Sequence, residues 1–140
     1  MSILKELEIP NIDTLIGIAL FGSFKTEYWS EGRSDIDILV LLEYKKSISF
    51  EFNVEDILDP ILKKYFSYNN IHITFLYMNE FDSPLAIQLI ESENKLIVED
   101  IKFMEFRLYV NKYIRNNQWL KDLVEKDKEI LRRERNESIL

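Results

Sequence analysis

Apolar residues run from Leu15 to Phe21 and stop at Gly22. That length, closed by a turn residue, predicts a buried strand. A second run, Ile36 to Leu42, is aliphatic apart from Asp37 and is bounded by charges. A strand that is apolar on both faces belongs at the centre of a sheet, covered on both sides. Ile71 to Tyr77 is the third strongly β-like segment. Between the second and third, Val54, Ile57, Leu58, Ile61, Leu62 and Tyr65 recur with a helical period through Phe66. Pro60 falls inside that helix and should kink it or move its start. Lys45 to Phe52 reads as a loop.

Weaker signals fill the remainder. Residues 2–8 suit two helical turns ended by Pro10. Residues 23–29 suit a short helix, and 31–34 a turn. The segment 81–91 is helical in pattern, with Asp82 or Ser83 as cap and Pro84 in the first turn. Lys95 to Val98 is a short strand candidate. From Ile101 to about Arg135 the chain reads as one long helix or two. Its early part is aromatic, which suits a core or a partner interface, and 126–136 is a charge run. Glu129 and Arg133 are spaced to pair across one helical turn. The order of elements is mixed α/β (α+β): residues 1–100 form a core, and 101–140 a C-terminal helical extension of the same domain.

Composition narrows the function. At 140 residues, 46% hydrophobic, the chain suits one domain with a real core. A net charge of -7 disfavours direct nucleic-acid binding, which needs a surplus of Lys and Arg. It leaves room for a nucleotide whose charge a metal ion carries. The absence of cysteine excludes disulfides and thiolate metal sites. Without a signal-peptide pattern or a membrane-length apolar run, a soluble cytoplasmic protein is expected.

The candidate chemistry lies at the ends of the first two strands. Asp35 and Asp37 are one residue apart, so in extended chain both point to one face, with Ile36 and Ile38 on the other. Adjacent carboxylates repel each other and gain nothing in a core, but together they hold a divalent cation. Upstream, Gly22-Ser23 offers backbone N–H groups and a hydroxyl that suit phosphate. Arg33, beside the Asp pair, is placed to meet phosphate. His72 is the chain's one histidine. Were its strand next to the Asp strand, His72 would face the same metal, where neutral imidazole can accept a proton.

The pattern Phe21-Gly22-Ser23, eleven residues, then Asp35-Ile36-Asp37-Ile38 resembles the signature of the DNA polymerase β superfamily, the nucleotidyltransferase fold. More narrowly, ALFGSF and GRSDIDILVLL look like the minimal nucleotidyltransferases, small prokaryotic proteins often acting as antitoxin to a HEPN-domain toxin. The resemblance is strongest from Ala19 to Leu42. It implies a small mixed β-sheet flanked by helices. By position it assigns Gly22 and Ser23 to the triphosphate tail, Lys25 to the family's basic position, and Asp35 and Asp37 to the metal, Mg²⁺ or Mn²⁺. The family's third carboxylate lies in a hydrophobic–Asp–hydrophobic context on a neighbouring strand. Here that context is Ile71-His72-Ile73, with histidine in the acidic place.

The resemblance implies transfer of a nucleoside monophosphate, AMP from ATP or its equivalent from another NTP, to an acceptor hydroxyl. A HEPN-type partner toxin is the expected acceptor. Asp35, Asp37 and His72 are the candidate catalytic residues. Two other readings stand beside it. One is a binding module that neutralises a toxin by occlusion, the histidine having cost it turnover. The other is an aminoglycoside-type small-molecule nucleotidyltransferase. Homo-oligomers are compatible with all three.

Overall fold

The computed structural model describes residues 4–22 and 29–139, with side chains to Arg135. Ser23, Lys25 and the helix expected to begin at Ser23 lie outside the described residues, Trp29 excepted. The strands are β1 (Leu15–Phe21), β2 (Ile36–Leu42), β3 (Ile71–Tyr77) and β4 (Lys95–Ile97); the helices are α1 (Ile48–Phe66), α2 (Pro84–Glu91) and α3 (Asp100–Ile139). Short 3-10 turns occupy Leu4–Glu6 and Met78–Glu80.

The sheet order is β3-β2-β1-β4. β1 runs antiparallel to both β2 and β4, whereas β2 and β3 are parallel. α1 makes the crossover that a parallel pair requires. The sheet is therefore mixed and the fold α/β, with β2 internal as its two-sided apolar pattern demands.

Alternation along β2 divides the core in two. Ile36, Ile38, Val40 and Leu42 pack toward Val54, Leu58 and Leu62 of α1. Leu39 and Leu41 pack on the other face with Ala86 and Leu89 of α2 and Phe103, Phe106 and Val110 of α3. Each fully buried Leu, Ile or Phe contributes roughly 1.5–3 kcal/mol of apolar transfer. Phe81, leading into α2, has ring contacts with Tyr109 and Tyr113 of α3 at 6.0 and 6.3 Å.

Four local expectations need correction. Among the described residues of the segment expected to be helical, 4–8, only Leu4–Glu6 turns, as a 3-10 turn. The expected loop at 45–52 ends earlier, because Ser47 caps α1 by accepting from the Phe50 N–H at 3.1 Å. Pro60 does not move the start of α1, which runs through it. Pro60 and Asp56, four residues before it, are both exposed, so water can satisfy the carbonyl that proline leaves free. The helix at 81–91 starts only at Pro84, with Ser83 the cap, accepting from the Leu85 N–H at 3.2 Å.

α3 is a single helix, and its first three turns belong to the core. Beyond Val110 no described residue is buried. The Glu129–Arg133 pair forms at 3.6 Å. Among the described residues no helix is long and apolar enough to cross a membrane.

Candidate functional site

Three strands bring the site together at one end of the sheet. Asp37 is the second residue of β2, and its neighbours in register are Phe21 on β1 and His72 on β3. Side chains in register share a face, so Asp37 and His72 stand side by side. His72 Nδ1 is 3.4 Å from Asp37 Oδ1. Parallel pairing of β2 and β3 thus meets the condition on which His72 would face the Asp pair. Asp37 is the more enclosed, with 27% of its side chain exposed against 61% for His72.

Gly22 supplies the third wall. It turns the chain out of β1 with φ +79°, a left-handed conformation that side chains rarely adopt. A Cβ placed there would lie 3.2 Å from Cγ and 3.3 Å from Cβ of Asp37, and closer still to Oδ2. The missing side chain is therefore the space that the Asp37 carboxylate fills. The end of β1 is held by Ser92, whose hydroxyl donates to the Leu20 carbonyl at 2.7 Å, and by Leu20 N–H donating to Asn94 O at 2.9 Å.

Asp35 immediately precedes β2 and is exposed. Ile36, wholly buried, points to the α1 side, so alternation directs Asp35 to the face of Asp37. Arg33 is exposed in the turn before it. This turn is tied down. Ser34 N–H donates to Ser30 O at 2.8 Å, and Gly32 takes φ +82°. The Tyr68 hydroxyl accepts from Gly32 N–H at 3.0 Å and donates to Ser34 O at 2.6 Å. Asn70 Nδ2 donates to Gly32 O at 3.3 Å, and Ile36 N–H donates to Asn70 O at 2.7 Å. Trp29 packs on Tyr68, ring centroids 5.2 Å apart. The segment that ends α1 and starts β3 thus grips the loop that carries Arg33 and Asp35. Sequence reading passed over Tyr68 and Asn70; the one local cue was a Tyr and two Asn in a short polar connection.

Among the described residues no three His, Asp or Glu side chains gather closely enough to enclose a metal ion. The donor set suits a cation that needs no such cage. Mg²⁺ takes oxygen ligands and is commonly bound through one or two carboxylates together with substrate phosphates. Asp35 and Asp37, with Asp37 seated in the Gly22 cradle, match that set. His72 Nδ1, a nitrogen donor, suits it less well.

A family model described as a nucleotidyltransferase domain matches residues 2–137. Among solved structures, a mutant MntA–HpeT toxin–antitoxin aligns with a TM-score of 0.47 at 19% identity, covering 86% of this chain and 89% of that one. A toxin–antitoxin with AMP-PNP aligns with a TM-score of 0.45 at 20% identity, covering the same 86% and 89%. No curated protein sequence is a significant match.

Proposed function

The chain belongs to the nucleotidyltransferase domain family, and from that premise we propose that it transfers AMP from ATP to a hydroxyl on a partner protein, a HEPN-type toxin, in the cytoplasm. The observation that carries this reading is the placement of Asp37 between Gly22 and His72, with Asp35 two residues upstream. Two carboxylates at the head of an internal strand, beside a glycine turn, suit a nucleotide's phosphates and their cation.

Asp35 and Asp37 would hold Mg²⁺ or Mn²⁺, which when bound neutralises phosphate charge and polarises the α-phosphorus. The Gly22-Ser23 turn, Lys25 and Arg33 are assigned to the triphosphate. The acceptor oxygen attacks the α-phosphorus, the bond from that phosphorus to the bridging oxygen of the β-phosphate breaks, and pyrophosphate leaves. The acceptor hydroxyl loses its proton in this step. His72 takes that proton, a role a carboxylate fills in relatives with the full acidic set. Its contact with Asp37 keeps the imidazole beside the reacting phosphate and stabilises the imidazolium that forms.

The test is incubation with α-labelled ATP, Mg²⁺ or Mn²⁺, and the product of the neighbouring gene. Label should appear on the partner and vanish with Asp35→Ala and Asp37→Ala. Nucleotide binding with no transfer to any acceptor would remove the catalytic claim. It would leave the second reading, neutralisation of a toxin by occlusion, which the histidine in the acidic place favours. Label on an aminoglycoside and none on protein would redirect the site to small molecules.

A further inference from the structure

Along its whole length α3 carries an apolar stripe on the side turned away from the sheet. Ile101, Met104, Leu108, Trp119, Leu123 and Ile130 form it, with Lys112, Arg115 and Lys126 at the intervening places. The steps of three, four and four residues recur as an eleven-residue repeat. Such a repeat has about 3.67 residues per turn, so near the helix's own ~3.6 that the stripe stays almost straight. Leu108 lies roughly half a turn from both Phe106 and Val110, which are buried in the core. The stripe is therefore opposite the face that the domain covers. Ile101, Leu108 and Trp119 are 74%, 65% and 66% exposed, and the other three apolar members are exposed as well. A contiguous exposed apolar line marks an interaction surface.

We propose that this outward stripe pairs with the same stripe of a second copy of the chain, the two α3 helices antiparallel about a two-fold axis between Arg115 and Asn116. The stripe is self-complementary about that point, which is what a two-fold interface requires. Ile101 falls opposite Ile130 and Leu108 opposite Leu123. Lys112 falls opposite Trp119, where an ammonium over an indole face is attracted. Lys126 meets Met104 and Glu105, whose carboxylate offsets its charge. Arg115, beside the axis, is long enough to carry its guanidinium to water. Basic residues outnumber acidic ones from 111 onward. The antiparallel direction keeps these two basic halves apart, whereas a parallel pair would set them side by side. Each domain hangs on the far side of its own helix, so neither sheet meets the other chain. The last turns of each α3 run past the start of the other, one helix layer farther from its sheet. A seam about 44 Å long engages roughly 20 residues a side, as does an interface burying about 800 Å² per partner. The pairing uses no residue of the Asp37 site and does not rest on the chemistry proposed there.

The test reads mass and direction on the full chain. Light scattering from about 1 to 100 µM should give twice the 16.8 kDa of the monomer. Leu108→Glu and Leu123→Glu should each weaken the dimer about tenfold or more. Helical circular dichroism should be retained, because both sites are exposed. The chain has no cysteine, so Ile101→Cys and Ile130→Cys each introduce a single thiol. Mixed and oxidised, the two variants should cross-link to each other. Ile101→Cys alone should not, since its two thiols would lie about 44 Å apart along the seam. A disulfide dimer of Ile101→Cys alone indicates parallel in-register helices and overturns the proposal. So does a wild-type chain that stays monomeric throughout, a dimer that both glutamate variants leave intact, or a chain that is monomeric until the neighbouring gene product binds α3.

Discussion

Gly22 and Asp37 occupy one space: the carboxylate of Asp37 lies where a side chain on Gly22 would have to be. The glycine is needed twice, for its φ of +79° and for that close approach. Gly22→Ala is expected to cost about 1–3 kcal/mol from strain and crowding. Nucleotidyl transfer should fall further than stability does, because Asp37 must move. Thermal melting alongside labelled transfer checks this; a variant with wild-type transfer would show that the cradle does not position the carboxylate.

His72 is tested by removing it without adding charge. His72→Ala should lower turnover about 10²-fold, the lower range for loss of a general base, while nucleotide affinity stays near wild type. His72→Asp should retain more activity than His72→Ala, since it restores an acidic proton acceptor. Equal turnover in wild type and His72→Ala would assign the histidine to structure alone.

Tyr68 holds the loop that carries Arg33 and Asp35 through one hydroxyl with two bonds. Tyr68→Phe keeps the packing on Trp29 and removes both bonds. Each is worth about 0.5–1.5 kcal/mol, so a loss of about 1–3 kcal/mol in stability is expected. The apparent KM for the metal–nucleotide should rise more than kcat falls. Steady-state kinetics and denaturant melts separate the two effects; unchanged kinetics would mean that the loop is held well enough by Asn70.

Asp13 and Lys46 form a surface ion pair linking the turn before β1 to the approach to α1. The Lys46 ammonium, through its hydrogen bond and its charge, holds the Asp13 carboxyl below its ordinary value of 3.8. Hydrogen bonding to Asp13 raises Lys46 above 10.5. The Asp13 contribution is therefore present above pH 3.8 and lost as pH falls through its lowered pKa. The Lys46 contribution is present below 10.5 and lost as pH rises through its raised one. Asp13→Asn should lower Tm by about 1–2 °C at neutral pH, as exposed pairs do. The difference should close at both pH extremes; a gap persisting in strong acid would assign the effect to something other than the pair.

Local pattern carried the scaffold. The three long strands occur with the bounds their apolar runs predict, because burial on one or both faces leaves a periodicity that neighbours in sequence suffice to express. The Asp35–Asp37 spacing likewise announced two carboxylates on one face. The start of α1 escaped because one capping serine is a faint signal beside a polar stretch.

What no local pattern contains is which strands are neighbours. His72 is a candidate only because β3 pairs parallel to β2 in the register that sets it beside Asp37. The Gly22 cradle exists only because antiparallel pairing brings the end of β1 to the start of β2. Tyr68 and Asn70 bond to a loop more than thirty residues away in sequence. Such contacts follow from where the crossover helix deposits the chain. The amino-acid order thus supplied the elements and the acidic pair, and the long-range packing of those elements set that pair beside Gly22 and His72.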